Sequence, residues 1–200
     1  MGRWLGPLAL RIPFSPNTIS VVALLVIATA SWLISQGRHQ PRFFLWALPL
    51  VFFGGLLDAI DGIVARVQNR QTRFGDFLDH CFDRISDTLL TLGWGLGTGV
   101  RTEILLASVL IVFFNGYVGT QLEATFGSRS YEGTGRGEFV MALFIFPTAA
   151  FILSSSGLLS VRMASLSIPE WMTLLLTAFA IQGIIQRFRM AHRLSRVSGT

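Results

Sequence analysis

The chain has 200 residues, of which 52% are hydrophobic and 14% are charged, against roughly a quarter charged in ordinary soluble domains. Its formal net charge is +5, and all 16 basic residues are arginine. This composition excludes a disordered chain, a coiled coil and a typical water-soluble enzyme, and no dense basic face is present that would bind nucleic acid. The single cysteine, Cys81, excludes a disulfide framework and a cysteine-rich metal site.

The N-terminal segment is the first predicted element. Apolar residues alternate with Arg3 and Arg11, which predicts an interfacial helix over residues 1–14, lying on the membrane surface. Ser15 and Pro16 then have the residue types of an N-cap and a first helical position.

Six apolar segments follow, each close to the roughly 20 residues that cross a bilayer. They are residues 17–35, 43–65, 77–100, 103–124, 139–159 and 171–185. The predicted fold is therefore an all-α, polytopic integral membrane protein with six transmembrane helices and an N-terminal interfacial helix. Residues 1–200 form one membrane domain, in which the six-helix bundle occupies residues 17–190 and a basic tail residues 191–200.

Arginine placement predicts the orientation, because cytoplasmic loops of membrane proteins carry an excess of basic residues. With the N-terminus in the cytoplasm, twelve arginines lie in cytoplasmic segments, and four lie on the other side: Arg38, Arg42, Arg101 and Arg162. Both termini are therefore expected in the cytoplasm, and the membrane is expected to be a prokaryotic cytoplasmic membrane.

Acidic residues cluster where the second and third segments meet. Asp58 and Asp61 share one helix face, and the next helix has a stripe of four acids: Asp76, Asp79, Asp83 and Asp87. Carboxylates at membrane depth are costly and mark functional sites. The short connection between the two segments predicts that the helices are antiparallel neighbours. Like charges this close repel, and a hard divalent cation such as Mg²⁺ or Mn²⁺ removes that penalty.

Small and basic residues accompany the acids. Gly62, Ala65 and Gly75 let a bulky group approach the backbone, and the connection is rich in arginine, which binds phosphate oxygens. Together these residues indicate phosphoryl chemistry at the membrane surface. From spacing alone, an ion-coupled transporter or a proton relay remains an equal alternative.

The acids belong to a longer pattern. Residues 58–66 read Asp-Ala-Ile-Asp-Gly-Ile-Val-Ala-Arg, and Gly75, Asp79 and Asp83 follow at fixed spacing, making eight identities over 26 residues. This pattern resembles the complete signature of the CDP-alcohol phosphotransferase family, and the six-span hydropathy is similar to that family along the whole chain. A transporter does not need the small residues and Arg66 at these offsets, so the resemblance argues against one.

The resemblance implies a reaction in which an acceptor hydroxyl attacks the β-phosphorus of a CDP-linked donor and CMP leaves. It implies that Asp58, Asp61 and Asp79 bind two divalent metal ions and the donor pyrophosphate. Asp83 is implied to be both a metal ligand and the general base. The positions implied to shape the nucleotide site are Gly62, Ala65, Arg66 and Gly75. Thr72 and Arg73, just before Gly75, are further candidates for contacts with the donor.

Residues further along are candidates for the acceptor site. Arg84 and Asp87 extend the acidic stripe and can also pair with each other, and the connection after the fourth span contributes Glu123, Arg136 and Glu138. The bacterial branch of the family that uses inositol phosphate carries several basic residues here. Residues 119–139 contain only two arginines, so a phosphorylated acceptor is not expected.

The predicted protein is thus a phospholipid-synthesising transferase with Mg²⁺ or Mn²⁺ as cofactor. Its expected donor is CDP-diacylglycerol or an ether analogue, and its expected acceptor is a small polar alcohol. An alternative within the family is a CDP-linked aminoalcohol donor with a lipid hydroxyl as acceptor. The expected partners are these substrates, membrane lipid and a second copy of the chain in a homodimer, with no nucleic acid.

Overall fold

A computed structural model describes residue 10 and residues 12–127 and 136–197, with the backbone alone for residues 136–144 and 197. The described residues form six long helices with short connections. They are α1 (Pro16–Ser35), α2 (Arg42–Val67), α3 (Arg73–Thr98), α4 (Thr102–Phe126), α5 (Arg136–Ser155) and α6 (Ile168–Val197). Each overlaps one predicted apolar segment, so the predicted helical elements are confirmed.

Local sequence explains where these helices begin and end. The Ser15 side chain accepts a hydrogen bond from the Thr18 backbone N–H, and Pro16 takes the first helical position as expected. α3 begins at Arg73, earlier than predicted, because Thr72 caps it. α3 ends at Thr98 and is capped by Gly99, whose φ of +73° is a left-handed conformation that glycine adopts at little cost.

α1 lies at the centre of the packing. It packs along both α2 and α3, while α4 packs against α6 and α2 against α5. A side chain at Gly93 or Gly97 of α3 would collide with the backbone carbonyls of Ser31 and Ile34 of α1. These two glycines therefore allow α3 to pack closely against α1, as small residues do in other membrane bundles.

The core lies away from the acidic residues, towards the opposite end of the bundle. Its buried residues come from α1, α2, α3 and α5, and are Ile27, Ala30, Ile34, Phe44, Ala47, Val51, Leu90, Trp94 and Ala150. Trp94 also donates a hydrogen bond to the Thr173 hydroxyl of α6 at 2.8 Å. Hydrogen bonds of this kind join helices in an environment that supplies no water.

Two expectations about the chain's periphery need correction. Residues 12–14 are not helical, because Pro13 removes a backbone donor and restricts Ile12. The rest of the predicted 1–14 interfacial helix, apart from residue 10, lies outside the described residues. The predicted 191–200 tail is not a separate element as far as Val197, because α6 continues to that residue.

The all-α prediction also missed a small hairpin before α6. β1 (Arg162–Met163) pairs antiparallel with β2 (Leu166–Ser167). Ala164 and Ser165 have φ values of +50° and +68°, as a tight two-residue hairpin turn of type I′ requires. The sequence has none of the Asn-Gly or Asp-Gly pairs that announce such a turn.

The structure supports a helical membrane protein. Within the described residues, four stretches are long and apolar enough to cross a membrane. They are Pro16–Arg38, Arg42–Val67, Thr102–Phe126 and Ile168–Arg196. α3 has sufficient length but carries the acidic stripe, and in α5 the apolar helix with described side chains is Ile145–Ser155. Six long helices are therefore present, and four of them meet the criteria of a span.

Candidate active site

The acidic site is formed by the second half of α2 and the first half of α3. As predicted, the two helices bring their acidic faces together, with Asp58 and Asp61 next to Asp79, but the backbone of α3 packs chiefly on α1 and α4 rather than on α2. Repulsion among the carboxylates and their need for a polar environment oppose a tight contact at this point. The two acidic faces therefore meet through their side chains and leave room between the backbones.

Three of the four signature carboxylates converge. One oxygen each of Asp58, Asp61 and Asp79 lies within 4.8 Å of the other two. Asp61 is buried, with 5% of its surface exposed, while Asp58 is exposed and Asp79 is half-buried. The group is thus fixed on its inner side and open on its outer side, where a ligand can enter.

Asp61 is held by the first helix as well as by its own. The Ser20 hydroxyl of α1 donates a hydrogen bond to the Asp61 carboxylate, and it also lies 3.1 Å from the carbonyl of Pro16. Next to this pair, Ile19 and Val64 form a small buried cluster. Ser20 was not predicted from the sequence, because no motif links it to Asp61, which lies 41 positions later.

Asp83 lies one helical turn beyond Asp79 and is not part of the three-carboxylate group. Its side chain is 18% exposed and lies 3.3 Å from the Arg84 guanidinium. It is still close enough to Asp61 for the two charges to interact. Asp83 therefore lies near the three converging acids without joining them.

The predicted small residues border this space as expected. A side chain at Gly62 would lie 3.7 Å from the Arg66 guanidinium, and one at Gly75 would press on Thr72 and on Asn17 of α1. Ala65, which lies between these two glycines in the sequence, is half-buried, and Arg66 is exposed. Gly75 thus allows the start of α3 to approach the start of α1.

Thr72 and Arg73 stand at the entrance to α3. The Thr72 hydroxyl accepts a hydrogen bond from the Gly75 backbone N–H at 3.0 Å, so it caps the start of α3. Arg73 is exposed at the first helical position, and its side chain is available to solvent on the cytoplasmic end expected from the sequence.

The Arg84 side chain is largely buried in the bundle, although it is charged. It lies 3.3 Å from Asp83 and 3.6 Å from Asp87, so the expected pairing of Arg84 with Asp87 is confirmed. Its guanidinium also occupies the space that a side chain at Gly116 of α4 would need. Among the described residues, its Nε is the one buried side-chain nitrogen or oxygen without a hydrogen-bond partner.

Of the other acceptor candidates, the structure describes the side chain of Glu123 but not those of Arg136 and Glu138. The Glu123 carboxylate of α4 lies 3.8 Å from His80 of α3, so the structure brings it to the acidic stripe. Arg136 and Glu138 belong to the first turn of α5, but their side chains lie outside the described residues.

A second basic residue near α4 was not among the sequence candidates. Arg187 of α6 donates hydrogen bonds to the backbone and side-chain oxygens of Asn115. Its guanidinium lies against Gly119, where a side chain would come within 3.1 Å of Nε. The acceptor candidates predicted from the sequence come from α3, α4 and the start of α5, and none comes from the last helix.

The donor set suits a hard divalent cation. The group consists of three carboxylates within 4.8 Å of one another and contains no thiol or imidazole, which matches the oxygen ligation of Mg²⁺ or Mn²⁺ rather than the thiolate and imidazole ligation of Zn²⁺. The exposure of Asp58 leaves a side from which substrate oxygens can complete the coordination. The residues therefore fit the predicted cofactor.

Comparison with known proteins identifies relatives. Archaetidylinositol phosphate synthase of Pyrococcus horikoshii is 27% identical over 142 residues, which cover 70% of this chain and 73% of that protein. Phosphatidylinositol phosphate synthase of Mycobacterium marinum is 31% identical over 139 residues, which cover 66% of this chain and 57% of that protein. The matched part is thus little more than half the length of the second relative.

Solved structures show the same fold. The chain resembles phosphatidylinositol phosphate synthase of Mycobacterium tuberculosis with CDP-DAG bound, with a TM-score of 0.69, 24% identity and 94% coverage of both chains. The same synthase in complex with manganese and citrate gives a TM-score of 0.69 at 23% identity, covering 96% of this chain and 88% of that one.

The sequence profile described as CDP-alcohol phosphatidyltransferase matches residues 14–180, which include every signature residue. Both the predicted family and the predicted class of enzyme are confirmed: the chain belongs to the CDP-alcohol phosphatidyltransferase family of transferases.

Proposed function

We propose that this protein transfers a lipid-linked phosphate from a CDP-linked lipid to the hydroxyl group of an acceptor, releasing CMP. The observation that carries the proposal is the convergence of Asp58, Asp61 and Asp79 within 4.8 Å at one open site. The family match and the synthase with CDP-DAG bound support a CDP-linked lipid as donor. CDP-diacylglycerol or its ether analogue is the proposed donor.

In this proposal the three converging carboxylates hold Mg²⁺ or Mn²⁺, with Asp83 completing a site for two ions. The manganese complex of the related synthase supports this choice of metal. When bound, the ions offset the charge of the donor pyrophosphate and of the leaving phosphate. Ser20 keeps the Asp61 carboxylate in place through its hydrogen bond.

The remaining signature residues are proposed to bind the donor. Arg66 and Arg73 are exposed beside the acidic group and can bind phosphate oxygens. Gly62, Ala65 and Gly75 leave space for the nucleotide, and Thr72 shapes the same edge by holding the start of α3.

Asp83 is the proposed general base. As the acceptor oxygen bonds to the β-phosphorus, its proton passes to the Asp83 carboxylate, and the bond from that phosphorus to the CMP oxygen breaks. Two observations favour Asp83 over the other acids: it is close enough to Asp61 for their charges to interact, and it stands outside the converging group.

For the acceptor, we propose a phosphorylated polyol in place of the unphosphorylated alcohol expected from sequence. Both named relatives are synthases of an inositol phosphate lipid. Two arginines outside residues 119–139 are the proposed contacts of the acceptor phosphate: Arg84, whose buried Nε lacks a hydrogen-bond partner, and Arg187 beside Gly119. Asp87, Glu123, Arg136 and Glu138 are proposed to line the same pocket, where the acids would accept hydrogen bonds from polyol hydroxyls.

The proposed arrangement in the cell follows from the helices. We propose one domain with all six helices crossing the membrane and with both termini and the acidic site on the cytoplasmic side. A homodimer is proposed as the assembly. The charge asymmetry of twelve arginines against four supports the orientation.

Incubation of the purified protein with CDP-diacylglycerol and a panel of acceptors tests the function directly. We expect CMP release that depends on an acceptor, and a lipid product whose mass contains the phosphorylated polyol. Products formed only from a CDP-linked aminoalcohol and diacylglycerol would favour the alternative donor. Ion flux without CMP release would instead identify a transporter.

A further inference from the structure

A second polar cavity lies at the end of the bundle opposite the acidic site. It has a volume of about 380 Å³ and is bordered by the α1–α2 connection, the α3–α4 connection and the α5–α6 connection with its hairpin. Along α3, the 19 residues from Asp79 to Thr98 rise about 1.5 Å each, which places it nearly 30 Å from the acids. We call it the distal cleft, and its residues used below are Arg38, Gly99, Ser160, Arg162, Ser167 and Glu170.

The one acid in the distal cleft is already neutralised. Glu170 is 2% exposed, and its Oε1 accepts hydrogen bonds from Nε of Arg101 at 2.7 Å and from the Arg101 backbone N–H at 3.3 Å. Its Oε2 accepts one from the Ser167 backbone N–H at 2.7 Å. Both carboxylate oxygens are therefore engaged, and the Arg101 charge offsets that of Glu170.

Two further guanidinium groups remain in the cleft. Arg38 lies over Gly99, where a side chain would come within 3.2 Å of Nη1, and Arg162 extends from β1 opposite Ser167. Across the residues that the structure describes, neither has a carboxylate within 4.0 Å. The distal cleft consequently carries an excess of about two positive charges.

Chain topology alone does not account for this grouping. Of the four arginines on this side, only Arg42 has a local role: it stacks on Trp46 at 5.4 Å and donates a hydrogen bond to Gln40. The other three come from separate connections, up to 124 positions apart in sequence: Arg38 and Arg162 border the cavity, and Arg101 binds Glu170 of its lining. Arginines collected from distant segments into one polar cavity are the arrangement that binds phosphate or carboxylate.

We propose that the distal cleft binds a phosphate-bearing anion of headgroup size, held by Arg38 and Arg162 with the Ser160 hydroxyl as a further donor. Phosphate is favoured because a guanidinium binds it bidentately and two guanidiniums can share its oxygens. The cleft stands at the ends of apolar spans, where lipid headgroups lie. The ligand is thus a phospholipid headgroup or a soluble phosphate ester.

Calorimetric titration of the full-length protein in a neutral detergent tests this proposal. The probes are dioctanoyl phosphatidylglycerol, sn-glycerol 3-phosphate and dioctanoylglycerol, which has the same acyl chains without the phosphate. We expect saturable binding of a phosphate-bearing probe that weakens about tenfold or more in R38Q/R162Q, because each charged hydrogen bond contributes substantially. R162Q alone should weaken binding several-fold, and R42Q, which removes the same charge outside the cleft, should not.

The outcomes separate the two ligand sources and the two proposals. Binding of the lipid alone assigns a headgroup, and equal binding of glycerol phosphate assigns a soluble ester. Equal affinity in the wild type, R162Q and R42Q, or equal binding of dioctanoylglycerol, overturns the proposal. Arg162 is an exposed hairpin residue, so R162Q should fold. It therefore tests the role of Arg162 in binding even if the double variant fails to fold. R162Q should keep CMP release, so a failure of the transferase proposal would appear in the wild type and leave the titration valid.

Discussion

Ser20 of α1 donates a hydrogen bond to Asp61 of α2, so the first helix helps to position a carboxylate that the family signature places on the second. α1 is also the main packing partner of both α2 and α3. The acidic site is thus supported by three helices, although its signature residues come from only two.

We expect Ser20→Ala to lower kcat/KM about tenfold, since loss of a buried hydrogen bond to a charged group costs about 1.5–3 kcal/mol and other ligands retain part of the positioning. The concentration of Mg²⁺ or Mn²⁺ that gives half-maximal activity should rise as well. Thr29→Ala is the matched control, because the Thr29 hydroxyl bonds only to the Leu25 carbonyl of its own helix. Unchanged metal dependence in Ser20→Ala would mean that Asp61 does not need this hydrogen bond.

The signature aspartates should differ in their effects. Asp83→Asn should keep most of the donor affinity and lose roughly 10²- to 10⁴-fold in turnover, the usual cost of removing a general base. Asp61→Asn and Asp79→Asn should lose donor affinity as well, because each removes a charge from the converging group. Donor binding by calorimetry and single-turnover rates measure the two effects separately.

A control and a contrary result complete this test. Asp76→Asn removes an acid on the same helix whose side chain is 55% exposed, and it should change neither quantity by more than a few-fold. If all three signature variants lose donor affinity equally, Asp83 acts chiefly as a metal ligand and the base lies elsewhere.

Removal of divalent metal should abolish activity. Excess chelator should stop CMP release, and Mg²⁺ or Mn²⁺ should restore it, because without a cation the three carboxylates within 4.8 Å repel the donor pyrophosphate. Full turnover in the presence of excess chelator would rule out a metal-dependent reaction. Titration of Mn²⁺ into Asp61→Asn should require higher concentrations than in the wild type.

Arg187→Gln tests the proposed phosphorylated acceptor. We expect KM for inositol phosphate to rise about tenfold or more, while KM for the CDP-linked donor stays within a few-fold, since a single charged contact is lost. Arg189→Gln is the matched control, because it removes the same charge two residues later on the exposed side of α6. Equal acceptor KM in the two variants would separate Arg187 from the acceptor site.

Close packing of α1 and α3 predicts a stability effect. Gly97→Ala should lower the free energy of unfolding by about 1–3 kcal/mol, because the new methyl group would collide with the Ile34 carbonyl. Gly55→Ala, at an exposed helical position with nothing within 4 Å, should be neutral or stabilise by about 0.5–1 kcal/mol. Thermal unfolding in detergent measures both, and equal midpoints for the two variants would contradict the packing.

The family, the class of reaction and the helical segments followed from local sequence. Spans are visible because the bilayer demands about 20 apolar residues whatever the tertiary fold, and the signature keeps its spacing because the eight residues lie on two adjacent helices. The caps at Ser15 and Gly99 are likewise local, since each depends on the residue's own hydrogen bond or φ angle. The short hairpin was missed because its turn lacks the usual residue types.

Relationships between distant segments depended on the three-dimensional packing. Periodicity assigns Asp58 and Asp79 to helix faces, but it does not state that α3 packs on α1, nor that Ser20 reaches Asp61. Arg187 illustrates the same point, because its place beside Gly119 arises from the packing of α6 on α4. Helix–helix contacts are set by small differences in side-chain shape along whole helices. The spacing of residues in one sequence therefore does not predict which helices pack together.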